Sequence, residues 1–307
     1  MTDITALCDD KISSVNMEVG AHVRDYIELL KPRVMSLVVF SGFVGLMVAP
    51  GHIHPLLGFV AILCIAMSAG GSAAVNMWYD RDIDAIMTRT QRRPIPSGRV
   101  APQAAVEFGG TLILISVALM ALAINWLAAG LLAFAALFYI YIYTMWLKRR
   151  TPHNIVIGGA AGAFPPVIAW AAVTNHVSLS SVLLFLLIFF WTPPHFWALA
   201  LYRNEDYKRA GVPMLPVIAG ERVTKIQMLI YTLVLLPVSL APAFTTMGGT
   251  LYLMGAALLT GLFIVCALRV LVDKSFKSAR QMFAYSIFYL FALLSLLLVE
   301  ESMKVLP

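Results

Sequence analysis

The residues best suited to chemistry lie in one polar stretch that follows a long apolar segment. Asn76, Asp80 and Asp84 are spaced by four residues, directly after the almost uncharged residues 56–75. In a continuous helix this spacing places the three side chains on one slowly drifting face, while Asp82 points elsewhere. Two carboxylates and an amide oxygen suit Mg²⁺, which usually binds together with substrate phosphates.

Arginines follow these oxygen groups closely. Arg89, Arg92 and Arg93 come first, and the stretch continues through two prolines and a glycine to Arg99. Planar guanidinium groups match the oxygens of a phosphate. The combination indicates a metal–diphosphate site at a membrane surface. The alternative is a solvated loop whose charges pair with one another, but a solvated loop does not explain the spacing by four.

A second polar cluster ends a later apolar segment. If a helix continues beyond Pro194, then His195, Tyr202 and Asp206 lie on nearly the same face. An ionisable residue inside a membrane span is a functional candidate, because its burial is costly unless it is paired. For His195 the alternative is a neutral imidazole that hydrogen-bonds to a neighbouring helix.

The composition defines the class of protein. Of the 307 residues, 60% are hydrophobic and 12% are charged, which excludes an ordinary soluble domain and indicates a polytopic membrane protein. The formal net charge is +6, but Lys and Arg occur in short clusters between apolar segments. Such clusters indicate membrane orientation rather than nucleic-acid binding. The three cysteines have no paired spacing, so they predict neither a disulfide framework nor a zinc site.

Hydropathy predicts nine membrane spans. They cover roughly residues 33–50, 56–76, 103–124, 126–146, 154–174, 178–201, 225–244, 249–270 and 281–299. All Lys and Arg residues except Lys304 then fall on the side of the N-terminus. The positive-inside rule therefore predicts a cytoplasmic N-terminus and an outer C-terminus. The expected location is the plasma (inner) membrane of a bacterium.

The chain is predicted to hold one membrane domain. Residues 1–23 form a cytoplasmic N-terminal tail, and residues 24–307 form the transmembrane domain. Residues 77–102 and 202–224, called here the first and second polar loops, both fall on the cytoplasmic side, where the chemistry is expected. The small residues at 158–163 predict close helix packing, and the alternative is a flat wall for a large planar or isoprenoid ligand.

These motifs resemble a known family. The pattern Asn76-x3-Asp80-x3-Asp84, followed by Arg89-Thr-x-x-Arg93-Pro-Ile-Pro-Ser-Gly-Arg99, is similar to the first signature of the UbiA-type intramembrane prenyltransferase superfamily. Further segments resemble the branch of that superfamily that farnesylates haem: Tyr26-x-x-Leu29-x-Lys31-Pro-Arg33-Val34, residues 154–166, Thr192-Pro-Pro-His195-Phe-Trp and Asp206-Tyr-x-x-Ala-Gly-Val-Pro-Met-Leu-Pro216. The resemblance covers residues 24–225, and the later spans match mainly in hydropathy.

The resemblance implies both a fold and a reaction. The fold is an all-α polytopic membrane protein, with about nine transmembrane helices bundled around a central cavity that opens to the cytoplasmic side. The reaction is Mg²⁺-dependent transfer of a farnesyl group from farnesyl diphosphate to a vinyl group of haem B (protohaem IX). Water adds in the same reaction and gives haem O. Haem B is a substrate here rather than a cofactor.

The residues and the resemblance together give a set of site assignments. The predicted metal ligands are Asn76, Asp80, Asp84 and Asp206. The predicted diphosphate contacts are Arg89, Arg92, Arg93 and Lys208, and the haem-binding candidates are His195 and Tyr202. The catalytic set is Asn76, Asp80, Asp84, Arg89, Arg93 and Asp206. Many relatives carry a second Asp-x-x-x-Asp motif, and the presence of Tyr202 at its first position favours the haem branch.

Two other functions stay open at this point. A prenyltransferase of the same architecture could act on an aromatic quinone precursor, although the histidine-bearing Thr192-Pro-Pro-His195 segment argues against it. A secondary transporter of an anionic lipid or metabolite could also have polar residues in its spans, but transporters usually bind substrate near the midplane. The expected partners are farnesyl diphosphate, haem B and the lipid bilayer, with docking of a downstream haem-modifying enzyme or terminal oxidase assembly left open. No nucleic acid is expected.

Overall fold

The computed structural model describes residues 21–305, and in that range every regular element is a helix. Most of the predicted N-terminal tail, residues 1–20, lies outside the described residues. Among the described residues, eight helices are long and apolar enough to cross a membrane, and a bent pair of shorter helices raises the number to nine. The prediction of an all-helical, multi-pass membrane protein with about nine spans is therefore confirmed. The central cavity stays a prediction.

The helices follow one another with short connections. In chain order they are α1 (Val23–Leu29), α2 (Pro32–Met47), α3 (Pro55–Tyr79), α4 (Arg81–Ile86), α5 (Pro102–Ala123), α6 (Trp126–Leu137) with a π-helical continuation (Phe138–Leu147), α7 (Asn154–Ala163), α8 (Pro165–Thr174), α9 (Leu179–Tyr202), α10 (Asn204–Arg209), α11 (Leu215–Ile218), α12 (Gly220–Leu240) with a 3₁₀ turn (Ala241–Phe244), α13 (Thr250–Val272) and α14 (Lys277–Val305).

The first span differs from its prediction. Helix α2 has only 16 residues, and α1 precedes it at an angle of 57°. The bend lies at Lys31, which caps α2 in the left-handed conformation with φ 52°. A non-glycine residue in that conformation is uncommon, so this bend needs support from contacts elsewhere.

Local sequence explains where several helices begin and end. Proline occupies the first position of α2, α3, α5 and α8, where the missing N–H costs nothing. The Asn125 side chain caps α6 by accepting from the Ala128 amide at 2.8 Å. Asn175 ends α8 in the left-handed conformation.

Small residues allow the helices to approach closely. A side chain at Gly71 or Gly109 would meet the carbonyl oxygen of the other residue at 2.6 Å, so the backbones of α3 and α5 are in contact there. Gly158 packs against Tyr143, and a side chain at Gly159 would meet Thr192 at 2.7 Å. The predicted close packing is therefore confirmed at these two glycines, whereas Gly162 of the same segment is exposed and has no neighbour within 4 Å.

Helix α9 runs through two consecutive prolines. Pro193 and Pro194 both lie inside it, and the helix continues to Tyr202. The predicted continuation beyond Pro194 is therefore confirmed. Asp206, however, lies on the separate short helix α10, which follows a break at Arg203. The expectation that Asp206 shares one helix face with His195 is wrong, because the backbone of Arg203 leaves the helical conformation (φ −115°, ψ 16°).

Candidate active site

The first polar loop begins where α3 ends at Tyr79 and α4 starts at Arg81. The break at Asp80 does not disturb the helical spacing by four, because helical hydrogen bonds continue across it. The Asp80 amide donates to the Asn76 carbonyl at 3.0 Å, and the Asp84 amide donates to the Asp80 carbonyl at 2.8 Å. Asp80 is fully buried and Asp84 is nearly so, whereas 60% of the Asp82 side chain is exposed. The prediction that Asp82 points elsewhere is confirmed.

Asp80 forms the centre of a buried ionic cluster. Its Oδ2 atom forms an ion pair with Lys148 and accepts a hydrogen bond from Asn76 Nδ2 at 2.7 Å. Its Oδ1 atom is buried and has no hydrogen-bond partner within residues 21–305. The Arg149 Nη2 atom lies 3.7 Å from Oδ1, beyond hydrogen-bond distance. Burying a carboxylate oxygen without a full set of partners is costly, so this position favours an incoming cation.

Asn76 links the carboxylate to two other elements. Its Nδ2 atom also donates to Thr144 Oγ1 at 3.1 Å, and its Oδ1 atom accepts from Lys31 Nζ at 2.9 Å. Three members of this site were not predicted from the sequence: Lys31, Thr144 and Lys148. The one available indication was the spacing of Thr144 and Lys148 by four at the polar end of a span.

Asp84 has its own cationic partner. Arg93 Nη1 lies 2.7 Å from Asp84 Oδ2, and Thr90 Oγ1 donates to the Asp84 carbonyl at 2.9 Å. These contacts fold the loop back onto α4. Arg93, a predicted diphosphate contact, is therefore held at the carboxylate cluster, while Arg89 and Arg92 are exposed to solvent.

Arg99 ties the first polar loop to the bend between α1 and α2. Its guanidinium pairs with Asp25 and lies 3.0 Å from a Glu28 oxygen. It also donates to the Arg92 carbonyl at 2.9 Å. Since α1 ends two residues before Lys31, these contacts support the strained position from which Lys31 reaches Asn76.

Asp82 and Arg149 form an exposed pair beside the buried cluster. Two nitrogens of Arg149 contact the two carboxylate oxygens of Asp82 at 2.7 and 2.8 Å. The hydrogen bonds from Arg149 hold the pKa of the Asp82 carboxyl below its usual range, although partial burial opposes them. Asp82 is thus a partner that orients Arg149 rather than a member of the buried set.

The second polar loop contacts the first through Asp206. Thr88 Oγ1 donates to Asp206 Oδ1 at 3.1 Å, and Arg209, three residues further on, forms an ion pair with the same carboxylate. Burial raises the pKa of Asp206, but the hydrogen bonds from Arg209 and Thr88 outweigh that effect and keep the pKa below its usual range. Lys208 is exposed.

His195 lies in an aromatic stack between α9 and α14. Its ring stacks on those of Trp191 and Phe283, with interplanar angles of 20° and 24° and centroid distances of 4.4 and 4.7 Å. Its Nδ1 atom is 2.6 Å from Ser286 Oγ. This hydrogen bond to Ser286 on α14 is the kind of contact with a neighbouring helix that the sequence left open as an alternative role for His195. The ring is buried but keeps 8% of its surface exposed.

Tyr202 lies at the polar end of the same helix. Its ring meets Phe283 edge-on at 6.2 Å, so it shares with His195 the face that packs on α14, as predicted. The guanidinium groups of Arg203 and Arg280 lie over the Tyr202 ring at 5.8 and 5.5 Å. A cavity of about 280 Å³ opens beside it, lined by Tyr202, Arg203, Asp206, Glu221, Phe276 and their neighbours on α10.

The predicted four-residue metal set is only partly assembled. Within residues 21–305, no three acidic, histidine or cysteine side chains lie close enough to hold one metal ion. Asp206 is occupied by Arg209 and Thr88 rather than grouped with Asp80 and Asp84. Asp80 still fits Mg²⁺, since its buried Oδ1 atom is an unpartnered carboxylate oxygen. The Asn76 oxygen accepts from Lys31 and would have to exchange that partner for the metal.

Comparison with known proteins identifies the family. Residues 38–295 match the UbiA prenyltransferase family. The protoheme IX farnesyltransferase of Agrobacterium fabrum is 58% identical over 293 residues, which cover 94% of this chain and 92% of that protein. The protoheme IX farnesyltransferase of Parvibaculum lavamentivorans is 54% identical over 302 residues, which cover 97% of this chain and 95% of that protein.

Solved structures agree on the fold. A digeranylgeranylglyceryl phosphate synthase structure superimposes with a TM-score of 0.76 at 20% identity, covering 91% of this chain and 98% of that one. A UbiA homologue from Archaeoglobus fulgidus, bound to GPP and Mg²⁺, superimposes with a TM-score of 0.60 at 17% identity. The match covers 89% of this chain and 99% of that one. The chain belongs to the UbiA prenyltransferase family.

Proposed function

We propose that this protein transfers a farnesyl group from farnesyl diphosphate to a vinyl group of haem B, with addition of water, and so makes haem O and diphosphate. The observation that carries this proposal is the identity of 58% with a protoheme IX farnesyltransferase across 94% of the chain. The buried ionic cluster at Asp80 supports it, because the cluster provides the groups that a diphosphate leaving group requires.

Asn76, Asp80 and Asp84 would hold Mg²⁺ against the diphosphate, with Asp206 as a further predicted ligand from the second polar loop. When bound, the metal offsets negative charge on the departing diphosphate. The unpartnered Asp80 Oδ1 atom supports this assignment. The Archaeoglobus fulgidus homologue, which was solved with GPP and Mg²⁺, supports a metal-dependent mode of diphosphate binding in this fold.

Cationic side chains would complete the diphosphate site. The diphosphate contacts predicted from the sequence are Arg89, Arg92, Arg93 and Lys208. We add Lys31 and Lys148, whose ammonium groups already lie at Asn76 and Asp80. In a water-poor site such fixed charges stabilise a developing anion at little cost of reorganisation.

The proposed reaction begins with the departure of the diphosphate from the farnesyl chain and ends with the addition of water to haem. The bond between the farnesyl carbon and the diphosphate oxygen breaks, and the diphosphate keeps the electron pair. The vinyl carbon of haem B attacks the allylic cation, and the new cation beside the porphyrin takes a hydroxyl from water, which releases a proton. Apolar helices around the farnesyl chain would limit its premature hydrolysis. The haem contacts in this proposal are His195 and Tyr202, which share the face of α9 that packs on α14.

The membrane arrangement follows from the charge distribution. With the N-terminus in the cytoplasm of a bacterium, both polar loops open to the inner face of the plasma membrane. Farnesyl diphosphate would then enter from the cytoplasm with its chain in the bilayer. A downstream haem-modifying enzyme or the assembly of a terminal oxidase would receive the product.

The decisive test is mass spectrometry of haems extracted after incubation with haem B, farnesyl diphosphate and Mg²⁺. We expect a hydrated, farnesylated haem from the wild type and much less of it from Asp84→Asn. Release of diphosphate without change to haem B would favour an aromatic quinone precursor as the acceptor. Absence of both products from an inserted, folded protein would contradict a prenyltransferase and favour the transporter.

A further inference from the structure

The hydroxyl group of Ser286 connects the two helices that hold His195. Ser286 lies on α14 and is fully buried. Its Oγ atom is 2.6 Å from the carbonyl oxygen of Phe283, one helical turn earlier. It is also 2.6 Å from His195 Nδ1 on α9. Neither polar atom can leave this pair for water, because both side chains are buried.

These two contacts determine where the protons are. A serine hydroxyl has one hydrogen to donate, and a carbonyl oxygen can only accept. The contact between Ser286 Oγ and the Phe283 carbonyl therefore uses the serine hydrogen. The contact with His195 must then run the other way, with Nδ1–H as the donor and Ser286 Oγ as the acceptor.

The consequence for His195 is a defined tautomer. A neutral imidazole that carries its proton on Nδ1 has its lone pair on Nε2. Nε2 makes no hydrogen bond within residues 21–305, so its lone pair is free for a ligand. A donated Nδ1–H bond with a free Nε2 is the arrangement typical of histidines that bind metal ions.

The same serine also fixes the plane of the ring. Its backbone carbonyl accepts a hydrogen bond from Trp191 Nε1 at 2.8 Å, and Trp191 stacks on one face of His195. Phe283, whose carbonyl takes the serine hydrogen, stacks on the other face. One turn of α14 thus orients both the ring and its proton.

We propose that Ser286 is a positioning residue, which fixes the tautomer of His195 so that Nε2 binds the iron of the haem substrate. The proposal rests on the proposed function for its ligand, and it adds a residue that no sequence motif marks. Ser286 itself touches neither substrate. Its effect on haem passes through the imidazole.

The test is a titration of the purified full-length protein with haem B, followed by absorption spectroscopy and by the iron–imidazole stretching band of the ferrous complex. Loss of a partner of this kind typically lowers metal affinity 10- to 100-fold. Ser286→Ala should therefore raise the Kd for haem B by about tenfold and lower the stretching frequency. Ser286→Thr keeps a hydroxyl and should restore both. His195→Ala should abolish the band.

Two controls separate positioning from general damage. Ser116→Ala removes a buried serine with the same type of bond, from Oγ to the Ile113 carbonyl at 2.8 Å, and should change neither the haem Kd nor the band. Mg²⁺-dependent binding of farnesyl diphosphate should be the same in Ser286→Ala as in the wild type.

The proposal is overturned if Ser286→Ala binds haem B with the wild-type Kd and stretching frequency, or if the iron–imidazole band survives in His195→Ala. Failure of the proposed function has a different signature. In that case the wild type binds haem through His195, with the Ser286 effect intact, but forms no farnesylated product.

Discussion

The two polar loops differ in how their carboxylates are paired. In the first, the fully buried Asp80 is neutralised by Lys148, which is 68 residues away in sequence and only 18% exposed. In the second, Asp206 is paired with Arg209, which is three residues away on the same short helix and 55% exposed. The first pair joins separate parts of the fold, whereas the second is a local surface contact between a buried carboxylate and a cation that is open to water.

This difference indicates which of the two ion pairs contributes more to the stability of the folded protein. A buried charge that loses its partner is costly, whereas an exposed ion pair contributes little because water screens it. The first polar loop therefore holds a charged site that is ready for a ligand. The second contacts the first through Thr88, but its carboxylate is neutralised by a cation on its own short helix.

The largest effect is expected at Asp80. Asp80→Asn removes the charge that holds Lys148 and the proposed metal, so kcat for farnesyl transfer should fall about a hundredfold to a thousandfold. Asp82→Asn is the matched control, because Asp82 is exposed and two residues away. Its kcat should stay near that of the wild type. Equal losses in the two variants, measured as haem product by mass spectrometry, would contradict the special role of the buried carboxylate.

Lys148 offers a way to separate stability from catalysis. Lys148→Met leaves Asp80 buried without its ion pair and should destabilise the protein by about 3 kcal/mol. In the double variant Asp80→Asn/Lys148→Met, no charge is left uncompensated, so thermal stability in detergent should recover while activity stays lost. A double variant as unstable as Lys148→Met would show that Lys148 acts through packing and not through its charge.

The sequence predicts those features that depend on neighbours along the chain. Span number follows from hydropathy, and the spacing of Asn76, Asp80 and Asp84 survives because helical hydrogen bonds cross the break at Asp80. The roles of Lys31 and Lys148 as partners of Asn76 and Asp80 were not predicted, because these contacts depend on the order of helices in the bundle. The separation of Asp206 from α9 was also hidden, since no proline or glycine marks the break at Arg203.

A smaller effect is expected at the support of Lys31. Arg99→Lys keeps the positive charge but loses the planar fork that contacts both Asp25 and Glu28. Lys31 would then be held less firmly at Asn76, and the KM for farnesyl diphosphate should rise about tenfold with a smaller change in kcat. Arg81→Lys, an exposed arginine outside this contact, is the control. A fall in kcat without a rise in KM would contradict the positioning role.

The smallest effect is expected from the pair in the second polar loop. Arg209→Gln removes an exposed cation from Asp206, but Thr88 still donates to the same carboxylate. The loss of thermal stability should be below about 1 kcal/mol, because exposed ion pairs rarely contribute more. The same unfolding measurement as for Lys148→Met allows a direct comparison. If Arg209→Gln destabilises the protein as much as Lys148→Met does, the second pair is not a local surface contact, and the two loops form one ionic site whose charges depend on each other.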